Sequence, residues 1–139
     1  MAQSIREVMT PDPVKMPMTA SVREAARTMR DSDIGAVVVM DKNRMCGIVT
    51  DRDIVVRALA EGRDPATTKV GDICSRELTT LAPTDSVADA VRMMRQKALR
   101  RLPVVEGDRP VGIVTIGDLA IERDRDSALA DISAAPANR

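Results

Sequence analysis

Apolar residues recur along this chain with two periods, and the alternation between those periods sets its elements. Val22, Ala25, Ala26 and Met29 fall at i, i+3, i+4 and i+7, which predicts a helix with one packed stripe. Ser21 followed by Glu24 fits a capping box at its start. The short β-branched run Ala36 to Met40 predicts a strand; after the polar turn Asp41-Lys42-Asn43, a second run ends in Gly47-Ile48-Val49-Thr50. The two runs form a hairpin. A further helix is expected after Thr50 through Ile54, Val55, Ala58 and Leu59, stopping at Gly62.

The same series then starts again. Sliding residues 4–55 onto 69–120 by 65 positions needs no gap and matches 14 pairs identically, among them Ser21/Ser86, Ala25/Ala90, Met29/Met94 and Val39/Val104. The second copy supplies a helix from Ser86 with Val87, Ala90, Val91 and Met94 on its stripe, a strand Leu102 to Val105, the turn Glu106-Gly107-Asp108, and Gly112-Ile113-Val114-Thr115. One structural unit is written twice. Each repeat reads as an opening helical turn, a short strand, a helix, two strands and a second helix, an α/β (α+β) unit. The expected boundaries are repeat 1 at 4–61, a linker at 62–68, repeat 2 at 69–122 and a tail at 123–139, with a short helix near Ala128 to Ile132 before a frayed end. A repeat of about 60 residues has a marginal core alone, so the two are expected to pack face to face.

Composition narrows the function. Basic and acidic residues both total 21, so no global positive field would gather nucleic acid or an anionic membrane. No apolar run approaches the roughly 20 residues that span a bilayer, and the N-terminus lacks a leader pattern, so a cytoplasmic location is expected. Histidine is absent, which removes the usual near-neutral base and the commonest metal ligand. No enzyme activity and no metal are expected. Phe, Tyr and Trp are also absent, so aliphatic side chains and nine methionines must fill the core, and a planar ligand would lie between aliphatic groups. Met29, Met93 and Met94 suit either core or an adaptable outer surface. Cys46 and Cys74 sit in apolar surroundings; they are either buried reduced thiols or a redox pair, which needs Cα atoms within about 7 Å.

The candidate chemistry lies where each hairpin ends. Thr50 and Asp53, like Thr115 and Asp118, stand three apart across the start of a helix. Free backbone N–H groups there favour phosphate, and a carboxylate can accept from two vicinal ribose hydroxyls. The same spacing is that of a helix cap with an acidic residue at the third position. Glycine at the start of each motif lets a backbone or ligand come close. Arg52, inside the first motif, is a further candidate for phosphate.

Ser-Val-x-x-Ala, a β-rich run including Leu102-Pro103-Val104-Val105, and Gly-Ile-Val-Thr-x-x-Asp, all present twice, resemble a pair of CBS domains, a Bateman module, over nearly everything from Ser4 to Ala120. Thr-Asp-Arg-Asp-Ile at 50 to 54 and the short length are similar to small stand-alone bacterial CBS pairs, including the actinobacterial hypoxic-response type. The resemblance implies tandem β-α-β-β-α repeats packed pseudosymmetrically through their sheets, with two clefts that commonly take adenosine-containing ligands. It implies one cleft with Thr50, Arg52, Asp53, Leu78, Thr79, Leu99, Arg100 and Arg101. The other would hold Pro13, Val14, Ile34, Gly35, Ala36, Thr115 and Asp118. Arg100 and Arg101 match positions often occupied by phosphate-contacting residues, or are a solvated pair near a helix end. The function implied is non-catalytic sensing of AMP, ADP or ATP, with S-adenosylmethionine ranked behind them, no cofactor, a homodimer, and a signal passed in trans to an unidentified partner protein. The alternative is a stress or interaction protein whose clefts are vestigial.

Overall fold

A computed structural model describes residues 4–76 and 79–123 of the chain. In order these form α1 (Ile5–Val8), β1 (Thr10–Pro11), β2 (Lys15–Pro17), α2 (Val22–Ser32), β3 (Ala36–Asp41), β4 (Arg44–Thr50), α3 (Asp51–Asp53), α4 (Val70–Ile73), α5 (Val87–Lys97), β5 (Arg101–Glu106), β6 (Arg109–Thr115) and α6 (Ile116–Arg123). After α3 the backbone widens into a π-helical stretch over Ile54–Leu59, closed by Ala60 N–H donating to Val55 O. Sequence periodicity predicts a helix there, and its widened turn is a finding of the structure.

The chain divides into two compact units that do not follow the linear repeats: one spans Pro13–Leu78, and the other joins the residues up to Asp12 with those from Thr79 onward. Each repeat body therefore carries the opening turn of the other copy. In the repeat-1 unit, α4 docks through Val70 N–H to Ala20 O (2.8 Å), and Ser75 and Ile48 exchange backbone hydrogen bonds at 2.9 and 3.2 Å. In the repeat-2 unit, Ile5 N–H donates to Asp85 O (2.8 Å), and Arg6 makes an exposed ion pair with Glu106 at 3.2 Å. Residues 62–68, expected as a linker, are tied down. Thr68 is buried and its carbonyl accepts Val22 N–H (2.8 Å), while Pro65 O accepts Arg23 N–H (3.0 Å), so this segment supplies acceptors to the first turn of α2. The expected helix near Ala128 to Ile132 lies outside the described residues.

Each unit holds one sheet and one core. In the repeat-1 unit the strand order is β2-β3-β4, with β2 parallel to β3 and β3 antiparallel to β4. Its core gathers Val22, Ala25 and Met29 of α2, Val37, Val39 and Val49 of the sheet, Ile54 and Ala58, and Val70, Ile73 and Cys74. In the repeat-2 unit the order is β1-β6-β5, and the core is Ile5, Leu81, Val87, Ala90, Met94, Leu102, Val104, Val114 and Leu119. The first strand of repeat 2 shrinks to one parallel bridge, Leu81 to Val104. Proline explains this. Val38 N–H donates to Val14 O (2.9 Å) in repeat 1, and its counterpart Pro103 has no N–H to give.

The stripes are narrower than their periodicity predicts. Ala26 is exposed and Val91 only half-buried, because each helix presents a single line of residues to its sheet and the i+4 position lies at the edge. Ser21 and Ser86 cap α2 and α5 by accepting the N–H of Glu24 and Asp89, both at 3.1 Å. Asp89 itself turns outward to Arg92 at 3.0 Å. Met29 and Met94 are buried, and Met93 packs against the same core as Met94.

Both hairpins carry a bulge at the same place, between Val39 and Met40 and between Val104 and Val105. Both bring glycine against an opening turn. A Cβ on Gly47 would stand 2.6 Å from Ser75 O and 2.8 Å from Cys74 Sγ; on Gly112 it would stand 2.5 Å from Met9 Sδ and 3.0 Å from Thr10 O. Because one obstacle at each glycine is backbone, Gly112→Ala should force β1 off β6 and lower stability by about 1–3 kcal/mol. Urea unfolding followed by circular dichroism measures this, and an unchanged midpoint would show that the close approach carries no constraint.

Candidate functional site

Each threonine and aspartate pair sits where a hairpin feeds a helix. In repeat 1, Thr50 Oγ1 accepts Asp53 N–H (3.1 Å) and an Asp53 carboxylate oxygen accepts Thr50 N–H (2.9 Å). In repeat 2, Thr115 and Asp118 make the same two bonds at the same two lengths. Both motifs are thus complete capping boxes, and each carboxylate is half-buried with one oxygen already holding a backbone donor. The other Asp53 oxygen faces Arg57 Nε at 3.7 Å, and Arg57 also donates to Ile73 O at 3.2 Å. The i, i+4 spacing of Asp53 and Arg57 was the available sequence signal for this pair.

Strand register decides what lies beside each motif. Ala36 is opposite Thr50, and Arg101 is opposite Thr115. Residues directly opposed in an antiparallel pair share a face, with Cβ atoms about 4.5–5.5 Å apart. Gly35 O accepts Asp51 N–H (3.0 Å), and Arg100 O accepts Ile116 N–H (2.9 Å), so the hairpin start is bonded to the helix start in both copies. The repeat-1 unit therefore gathers Ile34, Gly35 and Ala36 with Thr50, Arg52 and Asp53, and Val14 lies one strand over from β4, bonded to β3. The repeat-2 unit gathers Leu99, Arg100 and Arg101 with Thr115 and Asp118.

The two groupings implied by the resemblance each draw on both units; within a unit, every motif lies next to the hairpin start of its own repeat. Pro13 opens the repeat-1 unit and Thr79 opens the second stretch of the repeat-2 unit. Leu78 lies outside the described residues.

The two clusters share a backbone and differ in charge. Arg101, half-buried, stands across from Thr115 where Ala36 stands across from Thr50. The guanidinium groups of Arg52, Arg100 and Arg101 make no hydrogen bond or ion pair among the described residues, although Arg52 N–H donates to Asp51 Oδ1 (2.8 Å). An apolar groove of about 410 Å³ also opens in the repeat-2 unit, lined by Val91, Met94, Arg95, Leu99, Ile116, Leu119 and Ala120. Its lining offers one charged group and no carboxylate, too little to orient a nucleotide. Thr115 and Asp118 are not part of it.

The CBS domain matches this chain twice, over residues 5–59 and 70–124. The chain belongs to the CBS domain family. Over 134 residues it is 37% identical to CBS domain-containing protein YhcV of Bacillus subtilis, covering 94% of this chain and 95% of that protein. Hypoxic response protein 1 of Mycobacterium tuberculosis is 39% identical over 97 residues, 69% of this chain and 68% of that one. The crystal structure of Hypoxic Response Protein I, with two coordinated zinc ions, superposes with a TM-score of 0.77 at 34% identity, covering 85% of this chain and 97% of that one. The CBS domain pair of MJ0100, crystallised with 5′-methylthioadenosine and S-adenosyl-L-methionine, shares the fold at a TM-score of 0.81 and 23% identity, over 91% and 100% of the two chains. A pair of CBS domains is typically a regulatory, ligand-binding module. Among the described residues of this chain, no group of three or more Cys, Asp or Glu residues could hold a metal ion.

The capping boxes separate two roles of one carboxylate. Asp53→Asn keeps an oxygen that can accept Thr50 N–H, so ligand-free stability should fall by less than about 0.5 kcal/mol. Asp53→Ala removes the acceptor and should cost about 1 kcal/mol. Thermal unfolding of the two variants checks this ordering, and equal losses would mean that the charge itself, through Arg57, holds the helix start.

Proposed function

We propose that this CBS pair is a non-catalytic sensor of adenine nucleotides, AMP, ADP or ATP, and that its two motifs are chemically unequal. The observation that carries this is the placement of Arg101 across the strand from Thr115, beside Asp118. Asp118 accepts from the ribose hydroxyls, while Arg101 and the neighbouring Arg100 meet phosphate. In repeat 1 the matching positions are Ala36 and Gly35, which bring no charge, so a phosphate beside Thr50 and Asp53 would fall to Arg52. The complex of MJ0100 with two adenosine derivatives supports the capacity of the fold for such ligands; it does not speak for the residues of this chain.

Purified protein has no Trp or Tyr, so an absorbance peak near 260 nm would report bound adenine directly. Titration calorimetry should show AMP or ATP weakened roughly 10- to 100-fold by Asp118→Asn, since a hydrogen bond to a charged group is worth about 1.5–3 kcal/mol. Arg101→Ala should weaken the nucleotide and leave adenosine unaffected. Absence of any thermal shift with AMP, ADP and ATP at concentrations where binding would add about 2.7 kcal/mol would remove this reading. The alternative, a partner-docking protein with vestigial clefts, has one observation in its favour: capping alone accounts for both Thr-Asp pairs.

A homodimer belongs to the same proposal. Val55, Val56 and Leu59 on the π-helical stretch are 44–56% exposed, and Ile116 on α6 is 51% exposed. A second copy is the occupant these surfaces suit, and a partner in trans would then read the dimer. Light scattering should give twice the chain mass, and Leu59→Glu with Val55→Glu should return a monomer of unchanged circular dichroism.

A further inference from the structure

We infer that Cys46 and Cys74 are the two halves of an oxidation site, closing under peroxide to a disulfide that staples the opening turn of repeat 2 to the hairpin of repeat 1. Strict alternation along β4 would send Cys46 to the face opposite Gly47. The bulge changes this: Met40 pairs with Met45 and Val39 with Gly47, so Cys46 is the extra residue opposite a shortened β3. Its side chain turns to the same core that contains Val39 and Cys74. Gly47, the next residue, has no side chain, and Cys74 Sγ occupies the space a Cβ would need, 2.8 Å from where that atom would stand. Both thiols therefore belong to the one core beside Gly47, near enough for Cys46 to act on the Cys74 thiol.

The internal repeat is a control. At the same two positions the repeat-2 unit places Val111 and Met9, both packed on its core, with Met9 Sδ over Gly112. The architecture therefore turns both positions to one core in each unit. Only the repeat-1 unit makes both of them thiols.

Both cysteines are reduced in this structure, with weak donor bonds: Cys46 Sγ to Val39 O (3.4 Å) and Cys74 Sγ to Gly71 O (3.7 Å). Rotation off these carbonyls costs little. Burial pushes the Cys74 thiol above its ordinary range, and the nearby Cys46 adds to this, with Arg76 opposing. Half-buried Cys46 is therefore the sulfur that meets the oxidant first. Its thiolate attacks a peroxide oxygen, the O–O bond breaks to leave the sulfenic acid and hydroxide, and the hydroxide takes up the proton the thiol had released, giving one water. Cys74 sulfur then attacks Cys46 sulfur, the S–O bond breaks, and the departing hydroxide takes the thiol proton as a second water. Two electrons pass from the sulfurs to the peroxide.

The experiment treats the folded full-length protein with hydrogen peroxide, blocks remaining thiols, and reads intact mass and digested peptides. A product two hydrogen atoms lighter, with Cys46 and Cys74 peptides joined within one chain at any protein concentration, is expected, and either Cys46→Ser or Cys74→Ser should abolish it. The oxidised protein should melt roughly 5–15 °C higher, because a link across these positions constrains the unfolded chain, and dithiothreitol should reverse the gain. Peroxide that leaves both thiols free, carries Cys46 on to sulfinic acid, or links only separate chains would overturn the inference. Mass and melting are read without nucleotide, so the outcome is independent of the ligand proposal.

Discussion

The structure depends on a bulged antiparallel hairpin whose second strand has a glycine where another stretch of chain must pass. Gly47 and Gly112 leave no room for a Cβ because Ser75 O and Thr10 O lie against them. That approach lets an opening turn add itself to the hairpin: through the Ser75–Ile48 bridge in one unit, and through β1 on β6 in the other. Each core then gains the apolar residues of that turn, Val70, Ile73 and Cys74 or Ile5. A 60-residue repeat is short of core by itself. The borrowed turn supplies part of what it lacks.

Reciprocal borrowing also explains which features could be read from the sequence. The duplication, the hairpins, the capped helices and the order of elements were all legible, because each is written in local spacing: Ser21 to Glu24, Val22 to Met29, Gly47 to Thr50. The exchange of opening turns was not legible. Ile5 and Val70 look like the first core residue of their own repeat, and only the tertiary bonds of Ile5 to Asp85 and Val70 to Ala20 show whose core they enter. Residues 62–68 looked like a tether for the same reason, since the bonds from Thr68 and Pro65 to α2 join positions more than 40 apart.

The site was legible as a pair of motifs and illegible as a pair of environments. Thr-x-x-Asp spacing permits a cap or a ligand site, and the geometry shows that the cap is complete without excluding the second use: a carboxylate has about four acceptor positions and the box takes one. What distinguishes the copies is register. Nothing local to Arg101 says that it faces Thr115; that follows from the bulge, which fixes how many residues separate the paired ends of the hairpin. Arg57 was missed although its spacing from Asp53 was visible, because an i, i+4 pair gains a role only when its carboxylate belongs to a motif.

Two copies of one backbone thus hold different chemistry at equivalent points. At the hairpin start, Ala36 is matched by Arg101; at the bulge, Cys46 with Cys74 is matched by Val111 with Met9. The fold tolerates these exchanges because the bonds that define it at those points are backbone bonds: Asp51 to Gly35, Ile116 to Arg100, Ser75 to Ile48. Side chains that the backbone does not need are free to acquire a charge or a thiol. Both copies retain the threonine and aspartate that close the helix start, as they retain the serines that cap α2 and α5, because in each case a hydrogen bond to the main chain fixes the residue type. Chemistry in this chain therefore varies around the caps, and the caps are the frame against which a ligand at either site would be held.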